Sequence, residues 1–390
     1  MTRVLRIITS ADPRTGGPIE GARRVGEIWA GQGHRQDMLT LDPPNEPHLA
    51  DYPGRIFALG PPRGRALRQR YRYSAAMIPW LRAHAADYDA VIVSGLWRYA
   101  ARGAGQALIG GRTPYLVFPH GMLDPWFRRT APFKHLVKQA SWWLAEGPLL
   151  AGARAVLFTS EEEQRRAEGA FWPYRLRGTV VNYGAADIGG DAALQVAAFR
   201  TLLPELGERP FLLFLGRLHP KKGCNLLLAA FGTIAARHPG IDLVIAGPDQ
   251  IGMAATLRAA AARLGVGSRV HLPGMLSGAP KAGALRAAQA FVLPSHQENF
   301  GIAVVEALAA GTPVLVSDQV GIWRELLADR AGLVAPDTCA GTTELLSRFL
   351  ALPSAEQAAM GRRARASFTT RFDIERAADS LRTVIEQAIG

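Results

Sequence analysis

Short runs of β-branched and large apolar residues alternate along the chain with longer segments rich in Ala, Leu and Arg. The short runs predict strands at Val4–Thr9, Ala90–Ser94, Tyr115–Phe118, Ala155–Thr159 and Thr179–Val181. Further strands are predicted at Phe211–Leu215, Asp242–Ile245, Arg269–Leu272, Ala290–Leu293 and Pro313–Ser317. The longer segments predict helices at Gly21–Gln32, Leu67–Asp87, Phe133–Leu150, Glu161–Ala170, Cys224–His238, Ala254–Leu264, Ala303–Ala310 and Ala355–Phe368. Strands alternating with helices of this length indicate βαβ units, hence an α/β fold with parallel sheets. Near-continuous apolar strands such as AFVLP and PVLVS suit sheets covered on both faces.

The pattern weakens between Asn182 and Pro210. The stretch NYGAADIGGDAAL has little to bury, and a new strand, FLLFLG, begins after Pro210. A chain of 390 residues exceeds one ordinary core, so two doubly wound domains are expected, at 1–185 and 186–371. Ligands in such sheets bind beyond the carboxyl ends of the strands.

Composition narrows the class. Hydrophobic residues make up 48% and charged residues 20%, which is globular rather than disordered. Cys224 and Cys339 cannot build a disulfide framework or a four-thiolate zinc site, and they fit a reducing compartment. No long apolar leader opens the chain and no eighteen-residue apolar run occurs, so a cytoplasmic protein without a membrane span is expected. The net charge is +12, and residues 1–195 hold 25 Lys/Arg against 17 Asp/Glu, a net +8. Such an excess favours nucleic acid, anionic lipid or phosphorylated ligands, and charge alone does not choose among them.

Two segments carry the chemistry. In FLGRLHPKKGCNLLLAAF a strand ends at Leu215, and Arg217, Lys221 and Lys222 occupy the loop before a helix. Cations beside helix N–H groups make an anion site; the alternative is a solvated basic loop. In SHQENFGIAVVEALAAGTPVLVSD, Glu298 lies in a loop beyond a strand and Glu306 on the helix that follows, roughly two turns along at ~1.5 Å per residue. Small and apolar residues flank Glu306, and a lone carboxylate there is costly unless it faces a partner. The spacing suits hydroxyl recognition at two points of an elongated ligand better than a glycosidase pair.

Arg217 and Lys222 in GRLHPKKG, the Glu298-to-Glu306 spacing and AAGTPVLVSD together resemble the retaining glycosyltransferases of family GT4. The resemblance is strongest over Phe211–Ala335. It implies the GT-B fold, two Rossmann-like domains facing across a cleft, with a C-terminal helix, Ile374–Ile389, returning to the first. It implies that Arg217 and Lys222 bind the diphosphate of a nucleotide-sugar donor, that Glu298 contacts the donor sugar and that Glu306 holds the ribose. Backbone around Asn299, Phe300, Gly301 and Ile302 would meet the diphosphate or sugar. The paired Gly16 and Gly17 after the first strand match the family's glycine-rich loop, and His120 in FPHG matches its histidine near the donor sugar. No tightly bound cofactor and no metal is implied. Asp87-Tyr88-Asp89 matches a metal-binding D-x-D, yet it reads better as a turn at a strand edge.

The expected partners are a nucleoside-diphosphate sugar, a lipid-linked or oligosaccharide acceptor for a bacterial surface polysaccharide, and an anionic membrane surface, but no nucleic acid. Arginines and tyrosines interleave in Arg63–Tyr73, and cations and aromatics in Trp126–Leu150, which suits a peripheral contact with the inner face of the cytoplasmic membrane. The alternative for the second stretch is a core helix with a basic outer face. Rival functions are a GT-B phosphorylase or sugar-nucleotide epimerase, or a basic binding protein that keeps the fold.

Overall fold

The computed structural model describes residues 1–13, 17–50, 52–61, 71–125, 128 and 131–390. The chain divides into two compact units, one of residues 1–184 with 374–390, the other of residues 185–373.

Among the described residues, the first unit is built on seven parallel strands: β1 (Arg3–Ile8), β2 (Arg35–Thr40), β3 (Ile56–Ala58), β4 (Ala90–Ser94), β5 (Tyr115–Phe118), β6 (Ala155–Phe158) and β7 (Gly178–Val180). Their order across the sheet is β3-β2-β1-β4-β5-β6-β7. The second unit has six: β8 (Phe211–Leu215), β9 (Asp242–Ala246), β10 (Val270–Gly274), β11 (Ala290–Leu293), β12 (Val314–Ser317) and β13 (Gly332–Ala335). These run β10-β9-β8-β11-β12-β13. The second sheet thus has the doubly wound order 3-2-1-4-5-6, the first has the same order with a seventh strand beyond the sixth, and each reverses direction at one place. In the first unit that place is between β1 and β4; in the second it is between β8 and β11. Strands β4, β5, β8, β9, β11 and β12 are buried at every residue, as sheets covered on both faces require.

Three strands depart from the sequence reading. β2, RQDMLT, reads as polar, but Gln36 and Asp37 are buried with partners. Gln36 accepts from the Arg6 guanidinium at 3.0 Å and donates to the Ala22 carbonyl at 2.7 Å. Asp37 accepts from the Tyr88 hydroxyl at 2.9 Å and from Arg35 at 2.8 Å. Both β3 and β13 are too short for a period-two signal. The segment read as a loose break is also more ordered than expected. It contains the helix Ala192–Leu202, which Asp191 caps by accepting from the Ala193 and Leu194 N–H groups, and which buries Phe199. This helix lies so close to the helix Gly278–Ala287 that a Cβ on Gly283 would stand 1.9 Å from the Gln195 carbonyl oxygen. The helices Tyr99–Leu108, Trp323–Ala328 and Cys339–Leu350 were likewise not anticipated.

The helix predicted over Leu67–Asp87 is shorter, Met77–His84 with a 3-10 turn at Ala85–Asp87; residues 62–70 lie outside those described. Asp89 uses its carboxylate to accept the Arg3 N–H at 2.7 Å, so the D-x-D segment is a turn that anchors the edge of β1. The C-terminal helix Ile374–Ile389 belongs to the first unit. The Trp29 indole of the helix Gly17–Gly31 donates to its Ala378 carbonyl at 3.1 Å, and its Ser380 hydroxyl accepts the Asn182 N–H at 3.1 Å.

Candidate functional site

In the second unit, the loops after β8 and β11 leave adjacent strands at the reversal point. The loop after β8 turns at Gly216 and exposes Arg217. A 3-10 turn, Pro220–Lys222, follows and is capped by the His219 ring, which accepts the Lys221 N–H at 3.1 Å. Burial, then the charges of Arg217, Lys221 and Lys222, hold the His219 imidazole below its ordinary pKa, so it is neutral and fit to accept. Gly223 closes the turn at φ 71°, and a Cβ there would meet the Pro294 carbonyl oxygen at 2.1 Å. Only glycine lets the basic turn sit this close to the end of β11. The His296 N–H donates to the Lys221 carbonyl at 2.8 Å and ties the two loops together.

Glu298 is held by its backbone: its N–H donates to the Gln319 carbonyl at 3.2 Å, and its carbonyl accepts the Gly321 N–H at 2.9 Å. Its half-buried carboxylate is ion-paired with Lys222, while Lys221 donates to the Gln297 side chain at 2.8 Å. Gly301, at φ 84°, turns the chain into the helix Ile302–Ala309. Phe300 is buried and packs edge-on against Phe372 with ring centres 5.9 Å apart. Phe300 therefore has only its backbone to offer a ligand. The partner that Glu306 requires is Lys281, on the helix Gly278–Ala287: its ammonium donates to Glu306 Oε1 at 2.6 Å. Sequence reading missed Lys281, since nothing in GAPKAGALRA marks it. Four of the predicted residues, Arg217, Lys222, Glu298 and Glu306, thus lie at the carboxyl edge of one sheet. Asn299, Gly301 and Ile302 share the Glu298 loop.

In the first unit, the ends of β1, β4 and β5 border a cavity of about 440 Å³ lined by Thr9, Ser10, Ile19, Arg98, His120 and Met122, among others. His120, at φ 51°, stacks on Phe118 with ring centres 4.3 Å apart, and its buried Nε2 has no hydrogen-bond partner. Burial, then the nearby Arg6 charge, lowers its pKa to about 3. The turn that carries it is held by Glu163, which accepts the Gly121 N–H at 2.6 Å and the Thr159 N–H at 2.7 Å. Gly17 opens the helix Gly17–Gly31 with free space where a Cβ would be; Gly16 lies outside the described residues. A feature the sequence hid is Asp42, buried beside the cavity wall. It accepts from Ser10 Oγ at 2.7 Å, the Ala11 N–H at 2.6 Å, Thr40 Oγ1 at 2.7 Å and the Arg72 guanidinium. Burial opposes ionisation, but these bonds outweigh it and hold Asp42 below the usual carboxylate range.

No group of three or more His, Cys, Asp or Glu side chains is placed to hold a metal among the described residues, and no described helix is long and apolar enough to cross a membrane.

Residues 198–367 match the family described as "Glycosyl transferases group 1", and residues 16–184 match the "Glycosyl transferase 4-like domain". The chain belongs to the GT4-type glycosyltransferases. Relatives of this GT4 chain include a "D-inositol 3-phosphate glycosyltransferase" of Segniliparus rotundus, 37% identical over 185 residues, which are 45% of this chain and 40% of the relative. A "Phosphatidyl-myo-inositol mannosyltransferase" of Mycobacterium tuberculosis is 39% identical over 126 residues, 32% of each chain. The chain thus spans about two-fifths or less of the length of these curated relatives. Among solved structures, Anabaena HepE in complex with UDP and glucose superposes with a TM-score of 0.76 at 17% identity, over 99% of this chain and 100% of that one. At such identity the likeness concerns the fold, which is GT-B.

Proposed function

We propose that this protein is a retaining glycosyltransferase that moves a sugar from a nucleoside-diphosphate sugar to a hydroxyl acceptor. The acceptor in this reading is a lipid-linked or oligosaccharide precursor of a bacterial surface polysaccharide, met at the inner face of the cytoplasmic membrane. The observation that carries the reading is the basic turn at Arg217–Lys222 stitched to the Glu298 loop at the sheet's reversal point, with Lys222 on Glu298. A diphosphate offers Lys222 a stronger anionic partner and releases the carboxylate for sugar hydroxyls. Glu306, steadied by Lys281, accepts from the ribose hydroxyls. Backbone around Asn299–Ile302 meets the diphosphate or the sugar at the start of a helix. In the first unit, Gly17 and the neutral His120 beside the cavity are assigned to the sugar and acceptor.

The chemistry follows from charge. The bond between the sugar's anomeric carbon and the leaving oxygen breaks, and the electron pair goes to the diphosphate. Arg217 and Lys222 stabilise that growing charge. The acceptor oxygen attacks the anomeric carbon on the face the diphosphate leaves, and the acceptor proton passes to a phosphate oxygen of the leaving group. No metal and no tightly bound cofactor takes part in this scheme. HepE, a protein of the same fold, forms a crystalline complex with UDP and glucose, which supports a nucleotide-sugar donor. The two curated relatives, one named for an inositol phosphate and the other for a phosphatidylinositol, support a hydroxyl acceptor carrying a phosphate.

The test is thermal melting across nucleoside diphosphates and their sugars, followed by product analysis. A ligand at a hundredfold excess over its Kd stabilises the fold by about 2.7 kcal/mol. One base should raise the melting temperature, and its sugar nucleotide should be hydrolysed slowly without acceptor. A flat response to every nucleoside diphosphate would overturn the reading.

A further inference from the structure

We propose that the outward face of the helix Pro132–Ser141, with Trp143, Leu144 and Trp172, is a docking surface for an anionic lipid bilayer. The helix is amphipathic in the inverse sense. A surface helix ordinarily turns its apolar stripe to the core and its polar side to water. Here Phe133, Leu136 and Val137 are each more than half exposed, and no residue of the helix is buried. Three of its polar side chains face the protein instead, while Lys134 is exposed. Lys138 lies 4.7 Å over the Trp97 ring, His135 stacks on Phe171 at 4.9 Å, and Gln139 bonds both ways with the backbone of Trp172, at 2.6 and 3.1 Å.

The exposed apolar surface continues past the helix. A π-helical turn at Trp142–Glu146 sends Trp142 into the core, where its indole donates to the Pro173 carbonyl, and leaves Trp143 and Leu144 outward. The Trp143 indole donates to the Trp172 carbonyl at 2.8 Å, so the exposed Trp172 joins the same patch. An exposed contiguous patch of this kind marks an interaction site.

Charge identifies the occupant. From Trp126 to Ala145, and again from Phe171 to Arg177, the sequence has no Asp or Glu. Arg128, Lys134, Arg175 and Arg177 are exposed. The first acid after the helix, Glu146, is buried and accepts the Trp97 N–H and the Ser141 hydroxyl. Exposed Trp, Phe and Leu beside cations of a single sign match an interface of acyl chains and anionic headgroups. With no described helix able to span, the contact is interfacial. The surface depends on the lipid-acceptor reading only for its purpose; its geometry and charge belong to this unit alone.

The experiment is co-sedimentation with vesicles of phosphatidylcholine, with and without phosphatidylglycerol, across a salt series, together with tryptophan quenching by brominated lipid. Nucleoside-diphosphate binding, measured separately by melting, reports on the transferase reading and can fail or succeed independently. The full chain should bind the anionic vesicles at low salt, with its tryptophans quenched. Trp143→Ser combined with Trp172→Ser, and separately Phe133→Gln combined with Leu136→Gln, should each weaken binding by about tenfold or more. Arg128→Ser with Lys134→Ser should reduce the preference for anionic lipid. The proposal is overturned if the chain binds neither vesicle at low salt, or if both apolar variants bind as wild type. It is equally overturned if the patch mediates self-association that those variants abolish while vesicle binding is absent.

Discussion

The two sheets wind in the same order and reverse at equivalent places, yet the side chains gathered there differ in kind. At the β8–β11 junction, partly exposed cations and carboxylates pair as Lys222 with Glu298 and Lys281 with Glu306. In the proposed scheme the first pair opens for a diphosphate, while the second holds its carboxylate in place. Beside the cavity at the carboxyl ends of β1, β4 and β5, two polar groups are enclosed instead. Asp42 is saturated by four donors, and His120 is neutral with an orphan nitrogen beside a cavity. A shared topology thus supplies the position of a site, and the loops supply its chemistry. One half pairs its charges in partly exposed loops, and the other encloses a neutral imidazole and a fully bonded carboxylate beside a cavity.

The comparison is broken most directly at the cationic turn. Arg217→Ala and Lys222→Ala should each remove about 1.5–3 kcal/mol of donor or transition-state binding, roughly a tenfold to hundredfold loss in kcat/KM. Melting temperatures without ligand should change little, because both side chains lie at the surface of a loop whose backbone contacts persist. Wild-type turnover and nucleoside-diphosphate affinity in both variants would mean that the turn is only a solvated basic loop.

The carboxylates separate the two ends of the donor. Glu306→Gln should weaken the free nucleoside diphosphate and the intact sugar nucleotide alike. Glu298→Gln should leave the free diphosphate nearly untouched and impair the intact donor. Titration of both ligands into both variants checks this, and the opposite pattern would exchange the assignments.

For the first unit, His120→Asn should lower turnover while leaving a folded protein. Its pKa also bears on stability against pH. The imidazole stays neutral in the folded unit until about pH 3, whereas an unfolded histidine protonates near its ordinary value of 6.5. The unfolded state therefore binds the extra proton between those values, and stability falls as pH drops through that window. The wild type should lose melting temperature between about pH 7 and about pH 5, and His120→Asn should lose less. Equal losses in the two proteins would show that other groups govern the acid response.

Elements whose burial follows the period of their own segment were legible; those built on distant partners were not. β4, β8 and β11 announce themselves as apolar runs. β2 does not, because Gln36 and Asp37 are buried against Arg6, Tyr52 and Tyr88, which lie 16 to 51 residues away. The basic loop at Arg217–Lys222 and the loop at Glu298 were visible because each joins a legible strand to a legible helix. Lys281 was invisible because its role exists only once its helix packs beside Glu306, 25 positions on. The same holds for Trp172, whose place beside Trp143 depends on a loop contact 29 residues distant.

The smallest effect tests that hidden partner. Lys281 and Glu306 are each partly exposed, with side-chain exposures of 33% and 23%, so their pair should contribute only about 0.2–1 kcal/mol to stability. Its value in the present scheme is orientation: one carboxylate oxygen held by the ammonium leaves the other aimed at the ribose hydroxyls. Lys281→Met should then weaken nucleoside-diphosphate binding a few-fold with little change in melting temperature, and Lys281→Arg should restore much of it. The decisive measurement is a double-mutant cycle with Glu306→Gln, read in diphosphate affinity. Because Lys281 acts through Glu306, its loss should cost almost nothing once Glu306 is gone, giving a coupling of about 0.5–1 kcal/mol. Additive losses would mean that Lys281 touches the ligand itself, and the second unit would then bring a further cation to the diphosphate.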